Sequence, residues 1–127
     1  MSREQEKREK AVAAIFYQTA AGDEPVRAWL KGRTLDDKDR KILGADIQVV
    51  EYQWPTISRR NLVKALGNGV REARSTLPGN RIVRILFGIA HGRMVILHGF
   101  IKKTQKTPAA DLKLAKARWR DWQRENI

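Results

Sequence analysis

Four short extended segments, each bounded by a turn signal, place the strongest constraint on how this chain can fold. The segments are residues 62–66, 69–76, 81–89 and 93–100. Between them lie Gly67-Asn68-Gly69, Pro78-Gly79-Asn80 and His91-Gly92, which are typical of turns because glycine and asparagine adopt positive φ easily. Connections this short predict that neighbouring segments pair in antiparallel fashion. The stretch 81–90 is apolar apart from its arginines and is predicted to be the central strand, buried on both faces.

Helical patterns flank these segments. Residues 12–19 predict a first strand, and Asp23-Glu24-Pro25 then marks a helix start, with Gly32 as the end of that helix. A second helix is predicted over residues 35–52, and a third is predicted to begin at Thr107-Pro108. The order predicts an α+β fold: an N-terminal strand and αα-hairpin, an antiparallel sheet of about four to five strands, and a C-terminal helix.

The length of the chain, 127 residues, predicts one domain spanning residues 1–127. Residues 1–10 are expected to form a flexible or helical N-terminal extension. The chain has no run of about 18 apolar residues and no signal-peptide pattern, which predicts a cytoplasmic protein with no membrane partner.

The positive charge of the chain is large and unevenly distributed. There are 26 Lys and Arg against 14 Asp and Glu, a net charge of +12. Eleven of the basic residues lie between positions 59 and 106, where Glu72 is the only acidic residue. Such a concentration indicates a polyanionic partner, either nucleic acid or an acidic protein. A solvated surface that favours solubility is the alternative.

Several kinds of chemistry have no support in the sequence. The absence of cysteine excludes disulfides and cysteine-based metal sites. Two histidines and scattered acidic residues form no recognisable ligand cluster, and neither a phosphate-binding glycine loop nor a Gly-x-Ser-x-Gly motif is present. No metal and no cofactor are therefore predicted.

Five blocks of sequence, taken together, resemble one family. They are PVRAWL, VKALGNGVREARS, NRIVRILF, ILHGFIKKTQKTP and LAKAR. Their order and approximate spacing resemble the phage-type, HigB-like branch of the RelE/ParE toxin superfamily, from residue 12 to about residue 120. The most specific block covers residues 98–108. The resemblance implies a compact RelE-like, microbial-RNase-like fold and the ribosome-dependent cleavage of messenger RNA by a toxin of a type II toxin-antitoxin system.

The same resemblance implies several partners. They are messenger RNA, the ribosome with its ribosomal RNA, and a cognate helix-turn-helix antitoxin whose complex with the toxin binds promoter DNA. The antitoxin is expected either to cover the positive groove or to dock on the αα-hairpin at Val26, Trp29 and Leu30. An acidic patch on it would gain association rate and specificity from the charge of this chain.

Candidate catalytic residues follow from the chemistry of metal-free RNA cleavage. When the 2′-hydroxyl attacks the adjacent phosphate, negative charge develops there, and fixed cationic donors stabilise it. Arginine suits this role because its planar fork binds two phosphate oxygens. By the matching motif, Arg74, Arg81, Lys102 and Lys103 are the phosphate-binding set, and Arg84 is a further candidate. Strand alternation predicts that Arg81 and Arg84 point to opposite faces of the sheet unless a bulge intervenes.

The other basic residues of the segment are assigned to nucleic-acid binding. They are Arg59, Arg60, Lys64, Arg71 and Lys106. His98 is the candidate proton acceptor, because histidine titrates near neutral pH. Two alternatives stay open here: a histidine satisfied by the backbone, and a site that acts through charge alone. Arg74 has an alternative too, a surface ion pair with Glu72.

Two other functions fit the same sequence. ParE-like members of the superfamily poison DNA gyrase by binding and do not cleave RNA. A non-catalytic, phage-derived nucleic-acid-binding protein would need the positive charge but no particular arrangement of donors.

Overall fold

A five-stranded mixed sheet with helices on both faces forms the centre of the molecule. The computed structural model describes residues 9–102 and 106–127. The elements in chain order are β1 (Ala13–Phe16), α1 (Pro25–Lys31), α2 (Asp37–Gln53), β2 (Val63–Gly67), β3 (Val70–Leu77), β4 (Arg81–Ala90), β5 (Arg93–Lys102) and α3 (Ala109–Glu125). None of the helices within these described ranges is long and apolar enough to cross a membrane.

The strand order is β1-β5-β4-β3-β2. The predicted α+β fold is confirmed: β2 to β5 pair antiparallel through tight turns, and β4 is the central strand. The direction of β1 differs from the prediction of an antiparallel sheet, because β1 lies parallel to β5. Short turns constrain only strands that are adjacent in sequence, whereas β1 reaches the sheet through the two-helix connection.

The start of α2 is stabilised by a reciprocal pair of aspartates. The Asp36 carboxylate accepts a hydrogen bond from the Asp39 amide at 2.8 Å, and the Asp39 carboxylate accepts one from the Asp36 amide at 3.2 Å. This capping box satisfies two amides that have no partner within the helix. It also fixes Asp39 in place, at 2% exposure, facing the sheet.

Alternate residues of β4 supply two apolar cores. Ile85 and Phe87 belong to the core beneath α1 and α2, whereas Leu86 belongs to the core beneath α3. The expected docking surface on the αα-hairpin is wrong for Val26, whereas docking at Trp29 and Leu30 stays a prediction. Val26 is 2% exposed, and Trp29 and Leu30 are partly buried against the same core, because this stripe of α1 faces the sheet.

A bulge in β5 decides which way His98 points. Leu86 lies opposite His98 but Phe87 lies opposite Ile96, so Leu97 is an extra residue in the ladder. In a regular strand without this bulge, His98 and Ile96 would share one face, and Ile96 packs beneath α1 and α2. The carbonyl of Leu97 accepts a hydrogen bond from Arg118 of α3 at 2.8 Å. The bulge therefore turns His98 toward α3.

The close packing of α3 on the sheet depends on Gly88. A Cβ atom at this position would lie 2.6 Å from the ring of Trp119. We expect Gly88→Ala to push α3 outward and to lower the free energy of unfolding by about 1–3 kcal/mol in a urea titration. Gly44→Ala is the matched control, because a Cβ at Gly44 meets nothing within 4 Å and alanine favours the helix. Equal stability of the two variants would contradict this packing.

Candidate functional site

Four basic side chains lie together on the α3 side of the sheet. Lys64 is opposite Glu72, and Arg74 is opposite Arg84. On its other side Arg84 is opposite Phe100, and Lys102 lies two residues after Phe100. Residues that oppose each other, or that alternate along one strand, share a face. We call Lys64, Arg74, Arg84 and Lys102 the basic cluster. The structure thus brings together four of the residues that the sequence assigned to catalysis or RNA binding.

The electrostatics of Lys102 show how close these charges are. Burial lowers the pKa of the Lys102 ammonium below its ordinary value, and the positive charge of Arg84 lowers it further. Arg74 and Lys64 add to this lowering of the pKa, while Glu72 opposes it. Crowded positive charge that is partly removed from water favours the arrival of an anion.

A buried ion pair underlies the basic cluster. Arg84 and Glu72 are in contact at 2.5 Å, and their side chains are 4% and 1% exposed. Thr107, which precedes α3, donates a second hydrogen bond to Glu72 at 2.8 Å. Glu72 therefore connects β3, β4 and the start of α3. One feature of the sequence could have indicated this role of Glu72: it is the only acidic residue in a long basic segment.

Two donors of the basic cluster have no acceptor in the described part of the chain. The surface ion pair considered between Arg74 and Glu72 does not form; no carboxylate of the described residues pairs with Arg74. The Nε of Arg84 is buried and likewise has no acceptor among them. Arg74 is half-buried, so its guanidinium is within reach of a ligand that brings acceptors, whereas the buried Nε of Arg84 is an unsatisfied donor beneath the basic cluster.

His98 lies beside the basic cluster and is held by a carboxylate. Its Nε2 is 2.6 Å from Oδ1 of Asp111, in the first turn of α3, and its ring stacks on Phe100. The partner of this histidine is thus a side chain and not the backbone. A carboxylate on one ring nitrogen orients the imidazole and leaves Nδ1 as the nitrogen that can accept a proton.

Arg81 lies on the opposite face of the sheet, and alternation had predicted that it would be separated from Arg84. Its guanidinium donates two hydrogen bonds to Asp39, at 2.9 and 2.8 Å, and a third to the carbonyl of Pro78. These contacts lower the pKa of the Asp39 carboxyl. Arg81 connects the β3–β4 turn to the start of α2, and it is not part of the basic cluster.

The remaining candidates are distributed around the sheet. Arg71 is on the α2 face, with its guanidinium 4.8 Å from the ring centre of Trp54. Lys106 is exposed, and Lys103 lies outside the described residues.

Arg59 and Arg60 are both exposed and precede β2. Arg59 pairs with Asp46 of α2 at 2.6 Å. Within the described ranges, no group of three or more His, Cys, Asp or Glu residues is placed to hold a metal ion.

The family to which this fold and site belong is shown by a family model. The model described as phage-derived protein Gp49-like (DUF891) matches residues 29–120, which is most of the chain. The chain therefore belongs to the Gp49-like family, a phage-derived, toxin-like family within the RelE/ParE-like toxin superfamily. Membership of the superfamily is confirmed, while the HigB-like branch stays a prediction. No curated protein matches the chain.

Proposed function

We propose that this chain is the toxin of a type II toxin-antitoxin system and an endoribonuclease that cleaves messenger RNA on the ribosome. The observation that carries the proposal is the basic cluster, in which Arg74 and the Nε of Arg84 have no acceptor among the described residues. Membership of a toxin-like family supports the biological role. A phosphate of RNA would supply acceptors for the guanidinium of Arg74, while the positive charge of Arg84 lies beneath it.

The proposed reaction is metal-free attack by the 2′-hydroxyl of RNA, and these side chains are assigned its steps. The 2′-oxygen attacks the adjacent phosphorus and the bond to the 5′-oxygen breaks, which leaves a 2′,3′-cyclic phosphate and a 5′-hydroxyl. Arg74 binds the non-bridging oxygens and stabilises the charge that develops on them. Arg84 acts from beneath, because its ion pair with Glu72 holds β3, β4 and the start of α3 together.

Two side chains are assigned to the proton transfers. Nδ1 of His98 accepts the proton of the 2′-hydroxyl while Asp111 holds the ring through Nε2. We assign the protonation of the leaving 5′-oxygen to Lys102, because its ammonium belongs to the basic cluster; burial and the charge of Arg84 lower its pKa below the ordinary lysine value, which favours proton donation.

The proposed partners are those that the resemblance to toxins implies, and the positive charge suits them. The basic segment would bind ribosomal RNA, and a cognate helix-turn-helix antitoxin with an acidic patch would cover the basic cluster and block it. We propose that this complex binds its own promoter DNA and that the toxin acts in the cytoplasm.

The proposal is tested by inducing the chain briefly in bacterial cells and sequencing the 5′ ends of their messenger RNA. New ends in phase with codons are expected within minutes. Intact messages with breaks in DNA would instead identify a gyrase poison of the ParE type. Intact messages and intact DNA would leave a non-catalytic phage protein that binds nucleic acid.

A further inference from the structure

A polar cleft of about 410 Å³ opens beside the basic cluster, at the edge of β3. The pairing of β2 with β3 begins at Val63, and the amide of Arg74 donates to the carbonyl of Leu62, so none of the described strands covers this edge of β3 at Thr76. The residues that line the cleft and matter here are Ile42, Asp46, Arg59, Arg60, Arg74 and Thr76. Arg74 therefore belongs to both the cleft and the basic cluster.

The cleft combines a buried carboxylate with cationic side chains. Asp46 is 8% exposed, and its Oδ1 accepts a hydrogen bond from Arg59 at 2.6 Å. Its Oδ2 has no donor among the described residues. Arg60 and Arg74 form no ion pair within the same ranges. One end of the cleft can thus accept hydrogen bonds, while the other can bind an anion.

We propose that this cleft binds one nucleotide of the RNA next to the cleaved phosphate, and that Asp46 selects guanine at that position. This inference rests on the proposed function, because the shared Arg74 places the cleft beside the phosphate that is cleaved. Arg60 and Arg74 bind the phosphate of the nucleotide, and its base lies against the apolar side chain of Ile42.

The preference for guanine follows from its hydrogen-bonding edge. Guanine presents two adjacent donors, N1–H and N2–H, which match the two oxygens of one carboxylate. Arg59 has further N–H groups besides the one that binds Asp46, and these suit the O6 and N7 acceptors of guanine. Adenine and cytosine place an acceptor beside their single amino group, and uracil flanks its one donor with carbonyls. Each of these bases would place a carbonyl or ring acceptor against a carboxylate oxygen.

Mapping of cleavage sites tests the selection. In the wild-type chain we expect guanine at one fixed position beside most cut sites, and in Asp46→Asn we expect this preference to fall by about 10- to 100-fold. Asp23→Asn is the matched control, since it removes an exposed carboxylate outside the cleft. No guanine enrichment in the wild type, or an unchanged enrichment in Asp46→Asn, would overturn the inference.

A binding experiment tests the cleft without requiring cleavage. It also leaves the ion pair between Asp46 and Arg59 intact. Purified protein is titrated with guanosine, adenosine, cytidine or uridine monophosphate while NMR follows the amides of Asn61 and Thr76. We expect guanosine monophosphate to bind at least about 10-fold more tightly than the others. Arg60→Ala should weaken that binding by about 10-fold, and Arg33→Ala, an exposed arginine elsewhere, should not change it.

The two proposals can fail separately. Equal binding of the four nucleotides, or no response at Asn61 and Thr76, would overturn the guanine cleft while RNA cleavage could still stand. Selective binding of guanosine monophosphate to a chain that leaves messages intact would support the cleft and overturn the nuclease.

Discussion

Arg74→Ala is expected to slow the cleavage of messenger RNA by about 100-fold or more and to abolish growth arrest in cells. The loss of one preformed donor to a developing oxyanion has an effect of this size in other enzymes. The fold should survive, because Arg74 is half-buried and pairs with no carboxylate of the described residues. Cleavage rate is measured on purified ribosomes, and folding is checked by circular dichroism.

Two matched variants sharpen this prediction. Arg33→Ala removes the same charge from an exposed site outside the basic cluster and should cleave at the wild-type rate. Arg74→Lys keeps the charge but loses the two-pronged contact, so an intermediate rate is expected. A folded Arg74→Ala protein that cleaves as fast as Arg33→Ala would show that the basic cluster is not the reaction site.

Arg84→Ala is expected to lower the free energy of unfolding by about 3–5 kcal/mol. Removing the guanidinium leaves the carboxylate of Glu72, at 1% exposure, buried without its cation, and the loss of one partner from such a pair is costly. Thr107 alone cannot compensate, since a neutral hydroxyl carries no positive charge. Urea denaturation of the wild type and the variant gives the difference directly.

A double variant isolates the cause of this loss. Arg84→Met with Glu72→Leu removes both charges and fills the space with apolar atoms, and it should recover most of the lost stability. An Arg84→Ala protein as stable as the wild type would contradict the buried ion pair. A double variant no more stable than Arg84→Ala would assign the loss to packing instead of charge.

Much of the fold could be predicted from the sequence because its signals are local. The turns at Gly67-Asn68-Gly69 and Pro78-Gly79-Asn80 and the apolar stretch 81–90 predicted the antiparallel strands and the central position of β4, and the structure confirms both. The parallel pairing of β1 could not be predicted, since its partner, β5, begins at Arg93, far along the chain.

The face that a side chain occupies was harder to predict. Alternation along β4 predicts that Arg81 and Arg84 lie on opposite faces, but it does not say which of them faces the basic cluster. That is decided by Asp39, which binds Arg81 from 42 residues away in the sequence. His98 faces α3 because Leu97 adds one residue to β5; Gly99 is a residue type that often accompanies a bulge, but it does not show which residue is the added one. The polar cleft could not be predicted either, because Asp46 and Arg60 come together only when α2 packs against the edge of β3.

The chemistry of the fragment ends tests most directly whether the basic cluster promotes attack by the 2′-hydroxyl of RNA. Purified chain is added to ribosomes that carry a defined message, and the ends of the products are identified by mass spectrometry. We predict a 2′,3′-cyclic phosphate on the upstream fragment, a 5′-hydroxyl on the downstream fragment, and almost none of either with Arg74→Ala. Downstream fragments that end in a 5′-phosphate, or fragments formed equally well by Arg74→Ala, would contradict the mechanism.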